Sequence, residues 1–197
     1  MNVTIETSRG DIRGILHPRE GGLTGVICVC GAIGGFDGPA GAIYASLGDA
    51  LLEDGVSSLR LDYRHPNHLA ECALDTLAGV SFFQRLGAER IALVGHSFGG
   101  AVVIMAGAFS QEVTAVVGLS SQTAGATGAG KIAPRPLLLV HGEADTRLPP
   151  DCSRIIHEWA GDPKELVIIP GAGHGLRECR EELHDLLRRW LVDKLAT

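Results

Sequence analysis

The sequence predicts an α/β protein: a mostly parallel central sheet of about eight strands with helices on both faces and an antiparallel hairpin at its N-terminal edge. Two observations carry this. Runs such as Val26-Ile27-Cys28-Val29-Cys30 and Pro136-Leu137-Leu138-Leu139-Val140-His141 are almost wholly apolar, as strands covered on both faces must be. Between such runs lie amphipathic stretches long enough for helices, each set off by a glycine or proline turn. Strands that alternate with helices need crossover connections, and crossovers give parallel neighbours. The 197 residues suit a single domain over 1–197, large enough to bury a sizeable core.

Residues 3–7 and 11–16 carry near-alternating apolar side chains joined by Ser8-Arg9-Gly10, the pattern of a hairpin. The run 26–30 is the first central strand. It opens into Gly31-Ala32-Ile33-Gly34-Gly35-Phe36-Asp37-Gly38-Pro39, a loop too rich in glycine for helix or strand, which offers bare backbone N–H groups. Residues 42–54 form an amphipathic helix stopped at Gly55, and 57–63 a strand broken by Arg64-His65-Pro66-Asn67. A longer helix over 68–86 closes at Gly87. The apolar strand 91–94 then turns sharply into a helix that is apolar on nearly every face, and is therefore buried. Strands follow at 113–119, 136–141 and 165–169, interrupted by a Ser/Thr/Ala/Gly loop over 120–130 and by a helix after Pro149-Pro150. A last amphipathic helix ends near Leu195.

The formal net charge is -6, and no Lys/Arg cluster forms a stripe for phosphates, which argues against nucleic acid as a partner. No run reaches the length of a membrane span, and Met1-Asn2-Val3-Thr4-Ile5 lacks the basic and apolar regions of a signal peptide. The expectation is a soluble cytoplasmic protein with no membrane partner. Cys28, Cys30, Cys72, Cys152 and Cys179 are odd in number and scattered, as reduced thiols in such a compartment would be. Cys28 and Cys30 alternate along a strand and face opposite sides of it, which argues against a chelating pair. Neither a metal nor an organic cofactor is called for.

Ligands of parallel α/β sheets bind at the carboxyl ends of the strands, so a functional residue should fall just after one. Ser97 does, within Gly95-His96-Ser97-Phe98-Gly99-Gly100, a G-x-S-x-G pattern set between strand and helix. Reversal within so few residues forces the serine into a sparsely populated backbone conformation, and Gly95 and Gly99 lack side chains that would collide. A serine hydroxyl at neutral pH needs a base, and the base needs an orienting group. Of eight histidines, His17 and His141 lie at strand ends, His96 beside the serine, and His157 and His184 within helices. His174 differs, in a loop flanked by Gly173 and Gly175 immediately after a strand. By the same rule the acid is Asp145, with Glu143 in reserve, in the loop after the strand 136–141. The chain order Ser, Asp, His is that of one hydrolase fold.

On these residues the chain resembles the α/β-hydrolases over nearly its full length. It is similar to the small, lidless members around the dienelactone-hydrolase and carboxylesterase branches. Gly95 to Gly99 matches their nucleophile elbow, His141-Gly142-Glu143-Ala144-Asp145 their acid loop, and Gly173-His174-Gly175 their histidine loop. The resemblance implies Ser97 as nucleophile, His174 as base and Asp145 as the acid that orients it. It implies one oxyanion donor at the Phe98 N–H and another at Ala32 or Ile33, although Cys30-Gly31 stands where many relatives have His-Gly and the loop is longer by one residue. No helical lid is inserted at 120–130, so the implied acyl site is open, lined by Phe36, Ile33, Phe98 and the 120–126 segment with Ser121, while Arg64, His65 and His68 are either solvated loop residues or polar groups at its rim. The implied activity is hydrolysis of a small-molecule carboxylic ester of short or medium acyl length. The same residues serve thioesterases, peptidases and perhydrolases, and a binding protein that keeps the fold without catalysis is the reading from another class.

Overall fold

The computed structural model describes residues 1–196. Strands β1 (Asn2–Ile5) and β2 (Ile12–His17) form the expected antiparallel hairpin. β2 then pairs antiparallel with β4 (Ser57–Asp62), and from there every pairing is parallel. With β3 (Thr24–Val29), β5 (Arg90–His96), β6 (Val113–Leu119), β7 (Leu137–Gly142) and β8 (Lys164–Ile169), the order across the sheet is β1-β2-β4-β3-β5-β6-β7-β8. The helices are α1 (Pro39–Glu53), α2 (Leu69–Arg85), α3 (Phe98–Phe109), α4 (Asp151–Trp159) and α5 (Arg180–Ala196). Among the described residues, no helix is long and apolar enough to cross a membrane.

Strand periodicity divides the core into two layers. Ile27, Val29, Ile91, Leu93, Leu137 and Leu139 face one side of the sheet, where α2, α3 and α4 cover them with Phe83, Val103 and Ile156. Their alternates Val26, Cys28, Ala92, Val94, Leu138 and Val140 face the other side, under Tyr44 and Leu47 of α1 and Leu183, Leu187 and Trp190 of α5. Each central strand is buried on both faces, which is why these runs show no polar alternation in the sequence. The strand order reverses between β3 and β5, so the crevice for a ligand opens at their carboxyl ends.

Two segments differ from the sequence expectation. The 120–130 stretch is largely a loop, as its composition implies, but it is not a solvated one beside the acyl site: Ser120, Ser121, Ala126 and Ala129 are fully buried, and Ala129–Lys131 forms a short 3-10 turn. Small residues let the segment lie against α3: a methyl on Gly100 would come within 2.7 Å of Ser121 Cβ. The second difference is at the head of α1. Ala40, Gly41 and Ala42 are left-handed, with φ of 52°, 64° and 69°, and the right-handed helix starts after them. An L-residue in that conformation costs about 1–2 kcal/mol, so an outside contact must hold it.

The crossover from β5 to α3 is the tightest point in the fold. A methyl on Gly95 would lie 2.0 Å from the carbonyl oxygen of Gly99, and backbone cannot swing aside as a side chain does. Gly95→Ala is expected to cost about 3 kcal/mol or more. In thermal unfolding this reads as a melting temperature lower by about 6–12 °C; a change within 2 °C contradicts the packing described.

Candidate active site

Ser97 is the residue between β5 and α3, at φ 59° and ψ -120°. Its strained backbone is held by its N–H donating to the Leu119 carbonyl (2.8 Å) and its carbonyl accepting from the Gly100 N–H (3.0 Å). Gly99 packs on the end of β3, where a methyl would meet the Cys30 carbonyl oxygen at 2.2 Å. That contact sets the serine turn against the glycine loop that leaves β3. The Phe98 side chain is buried, edge-on to Tyr63 at 6.3 Å, and the Phe98 N–H heads α3 with no hydrogen-bond acceptor among the described residues.

Three loops at the carboxyl ends of β5, β7 and β8 bring the expected residues together. Ser97 Oγ lies 3.0 Å from His174 Nε2, and His174 Nδ1 lies 2.7 Å from Asp145 Oδ2. With the carboxylate at Nδ1, that nitrogen carries the proton, which leaves Nε2 to accept from the serine hydroxyl. The acid and histidine loops are sewn together by the Ala144 N–H on the Ala172 carbonyl (2.9 Å), and Gly142 leaves no room for a side chain there. Glu143, the reserve acid, is exposed and takes no part.

Asp145 is buried but richly solvated by the protein. Its Oδ1 accepts from the N–H groups of Arg147 and Leu148, both at 2.9 Å, and its Oδ2 accepts from His174 and from His141 Nε2 (3.1 Å). Burial alone would raise this carboxyl; the Leu148 N–H, the His174 ring and the Arg147 N–H outweigh it and hold the group below its ordinary value. His141 is itself fully buried, its Nδ1 2.7 Å from the Ser153 hydroxyl. Its place at a strand end showed nothing of this role.

Sequence pattern alone gives His96, beside the serine, no role. Its Nε2–H donates to the His174 carbonyl (2.9 Å), and the two rings lie 5.0 Å apart, so it props the loop that carries His174. The glycine loop forms the opposite wall. The Gly34 N–H closes a turn on the Gly31 carbonyl (3.0 Å), with Ala32 and Ile33 at its corners, and the Gly35 N–H is held by Asp62 Oδ1 (2.7 Å). A methyl on Gly31 would stand 3.7 Å from Ser97 Cβ, which places this turn beside the serine.

The cavity between these walls, about 390 Å³, is lined by the 30–38 segment with Ile33 and Phe36, and by His96, Ser97, Arg147 and His174. Ile33 is 93% exposed at its edge. Ser121 does not line it, being sealed under α3. Arg64 is not a rim group either: its guanidinium is paired with Asp75 at 2.5 Å and nearly buried. Cys30 lines the cavity as a neutral thiol, raised to about 11 by burial, and accepts the Gly38 N–H at 3.2 Å. Among the described residues, no group of three or more His, Cys, Asp or Glu side chains is placed to hold a metal ion.

Burial lowers the His96 imidazole to about 4, so it folds uncharged. An unfolded histidine titrates near pH ~6.5, and between these values the unfolded chain binds the extra proton. The His96 contribution is therefore complete above pH ~6.5 and lost as pH falls toward ~4. Urea denaturation should show about 1–2 kcal/mol lost between pH 7 and pH 5, discounted for the ring's partial exposure. His96→Gln, whose amide still reaches the His174 carbonyl, should flatten this limb; an unchanged slope contradicts the assignment.

No protein-family model matches the chain. The uncharacterized protein PA2218 of Pseudomonas aeruginosa is 42% identical over 67 residues, 34% of this chain and 16% of that protein. The chain thus spans well under two thirds of the length of that relative. Solved structures align along almost the whole molecule, two of them as follows. Dienelactone hydrolase from Anabaena variabilis superposes with a TM-score of 0.83 at 19% identity, covering 98% of this chain and 96% of its own. An alpha-beta serine hydrolase homologue from Coxiella burnetii superposes at 0.80 and 22% identity, covering 97% of each chain. Likeness of that extent, with the strand order and serine turn above, establishes the architecture: this chain is built on the α/β-hydrolase fold.

Proposed function

We propose that the chain is a serine hydrolase that cleaves carboxylic esters of short to medium acyl length through an acyl-enzyme. The observation that carries this is the unbroken hydrogen-bond chain from Ser97 through His174 to Asp145, assembled from three loops that are distant in sequence. A binding protein has no need for that chain. Likeness to a dienelactone hydrolase, whose name denotes cleavage of a lactone, supports the ester as substrate class.

Ser97 Oγ attacks the ester carbonyl carbon while its proton passes to His174 Nε2. Asp145 keeps the Nδ1–H aligned and stabilises the imidazolium that forms. The charge that develops on the carbonyl oxygen is taken by the N–H of Phe98 and by that of Ala32, which adjoins Gly31 at the serine. Each such donor is typically worth about 3–4 kcal/mol in the transition state. As the intermediate collapses, the ester C–O bond breaks and His174 gives its proton to the departing alcohol. Water then attacks the acyl carbonyl with His174 again as base, which releases the carboxylic acid and restores the serine. The wall at Ile33 and Phe36 is apolar but open, so it can hold a short chain and leaves a long one in water.

Ser97→Ala is expected to keep the native melting behaviour and to lose at least about 10³-fold in kcat on 4-nitrophenyl acetate. Turnover undiminished in that variant overturns the reading. Across 4-nitrophenyl esters, kcat/KM should peak at acyl chains of about two to eight carbons, since each further CH₂ has no wall to bury against. A peak at long chains contradicts the open site.

A further inference from the structure

Acyl transfer as described leaves the left-handed turn at the head of α1 unexplained. The turn lies between two parts of the site. On its N-terminal side is the glycine loop, whose last link is the Gly38 N–H on Cys30 Sγ. On its other side the Ala40 N–H donates to the carbonyl of Gly175 at 2.7 Å, one residue past His174. Unaided, two alanines would relax to the right-handed form.

Arg180 supplies the restraint. It opens α5, which is anchored by buried Leu183 and Leu187, and its Nη1 donates to the carbonyls of Ala40 and of Gly41, the latter at 2.6 Å. Its Nη2 donates to Ser46 Oγ at 3.2 Å. The Ala40 carbonyl is open to it because the Tyr44 N–H, its partner in an uninterrupted helix, donates instead to Asp37 (3.2 Å). Among the described residues no carboxylate pairs with Arg180, so its fork is committed to this turn and to Ser46 just beyond it.

We propose that Arg180 is a positioning residue for the hydrolase site: by clasping the left-handed turn it holds the glycine loop, with its oxyanion donor, in register with the His174 loop. The proposal rests on the hydrolase reading for its catalytic consequence, but its structural half stands apart. Donors that act on the developing oxyanion lower the barrier rather than strengthen substrate binding, so misplacing them reduces kcat more than it raises KM.

The test combines hydrogen exchange followed by mass spectrometry with ester kinetics on Arg180→Met, Arg180→Lys and the double variant Arg180→Met/Ala42→Gly. In Arg180→Met, peptides covering 31–42 and 171–176 should exchange at least about tenfold faster while the central strands stay protected. Its kcat should fall about 10- to 100-fold with KM within about threefold. Glycine at position 42 removes the positive-φ penalty at one of the two alanines without restoring the clasp, so the double variant should regain part of both losses. Native exchange in both segments overturns the proposal, as does a folded Arg180→Met with unchanged kcat, or a double variant that regains nothing. If Arg180→Met does not fold, Arg180→Lys decides by the same exchange criterion. Absence of ester turnover in the wild-type chain would remove the hydrolase reading, and exchange would still decide whether Arg180 joins the two loops.

Discussion

The contact on which the site depends is that of Gly99 with the carbonyl of Cys30. It brings the first turn of α3 against Cys30, the residue that follows β3, and no side chain larger than hydrogen fits between them. Since β3 and β5 are neighbours at the point where strand order reverses, this approach sets Ser97 and the glycine loop side by side. The positive φ of Ser97 is a consequence, because the chain must turn before Gly99 reaches β3. The buried hydroxyls of Tyr44 and Tyr63 then donate to the Val29 and Cys30 carbonyls (both 3.1 Å), satisfying the strand end as it leaves the sheet.

Electrostatics around Asp145 complete the arrangement. A buried carboxylate without partners would take up a proton; this one has two backbone N–H groups and two imidazoles on its oxygens. His96 and His141 thus have structural work that leaves His174 as the histidine facing the serine. The His96 ring holds the histidine loop from below, and the His141 ring holds Asp145.

Ser97, Asp145 and His174 can be read from sequence because the rules that select them are local: a serine between two glycines, a carboxylate and a histidine each just after an apolar run. The strands and helices are legible for the same reason, since periodicity belongs to neighbours in sequence. What escapes the sequence is set at long range. His96 meets the carbonyl of a residue 78 positions away, and Arg180 meets Ala40 across 140. Ala40 and Ala42 are strong right-handed helix formers, so propensity points the wrong way where a distant arginine overrides it. Ser121 reads as a loop serine because small residues give no core pattern, though smallness is what lets it pack under α3.

The central claim is that this geometry activates one serine. Incubation with a fluorophosphonate probe at neutral pH, followed by proteolysis and mass spectrometry, tests it without any choice of substrate. The account predicts rapid modification at Ser97 and its loss in His174→Ala, because a hydroxyl without its base is a poor nucleophile. An unmodified chain, or equal labelling of other serines, would contradict it.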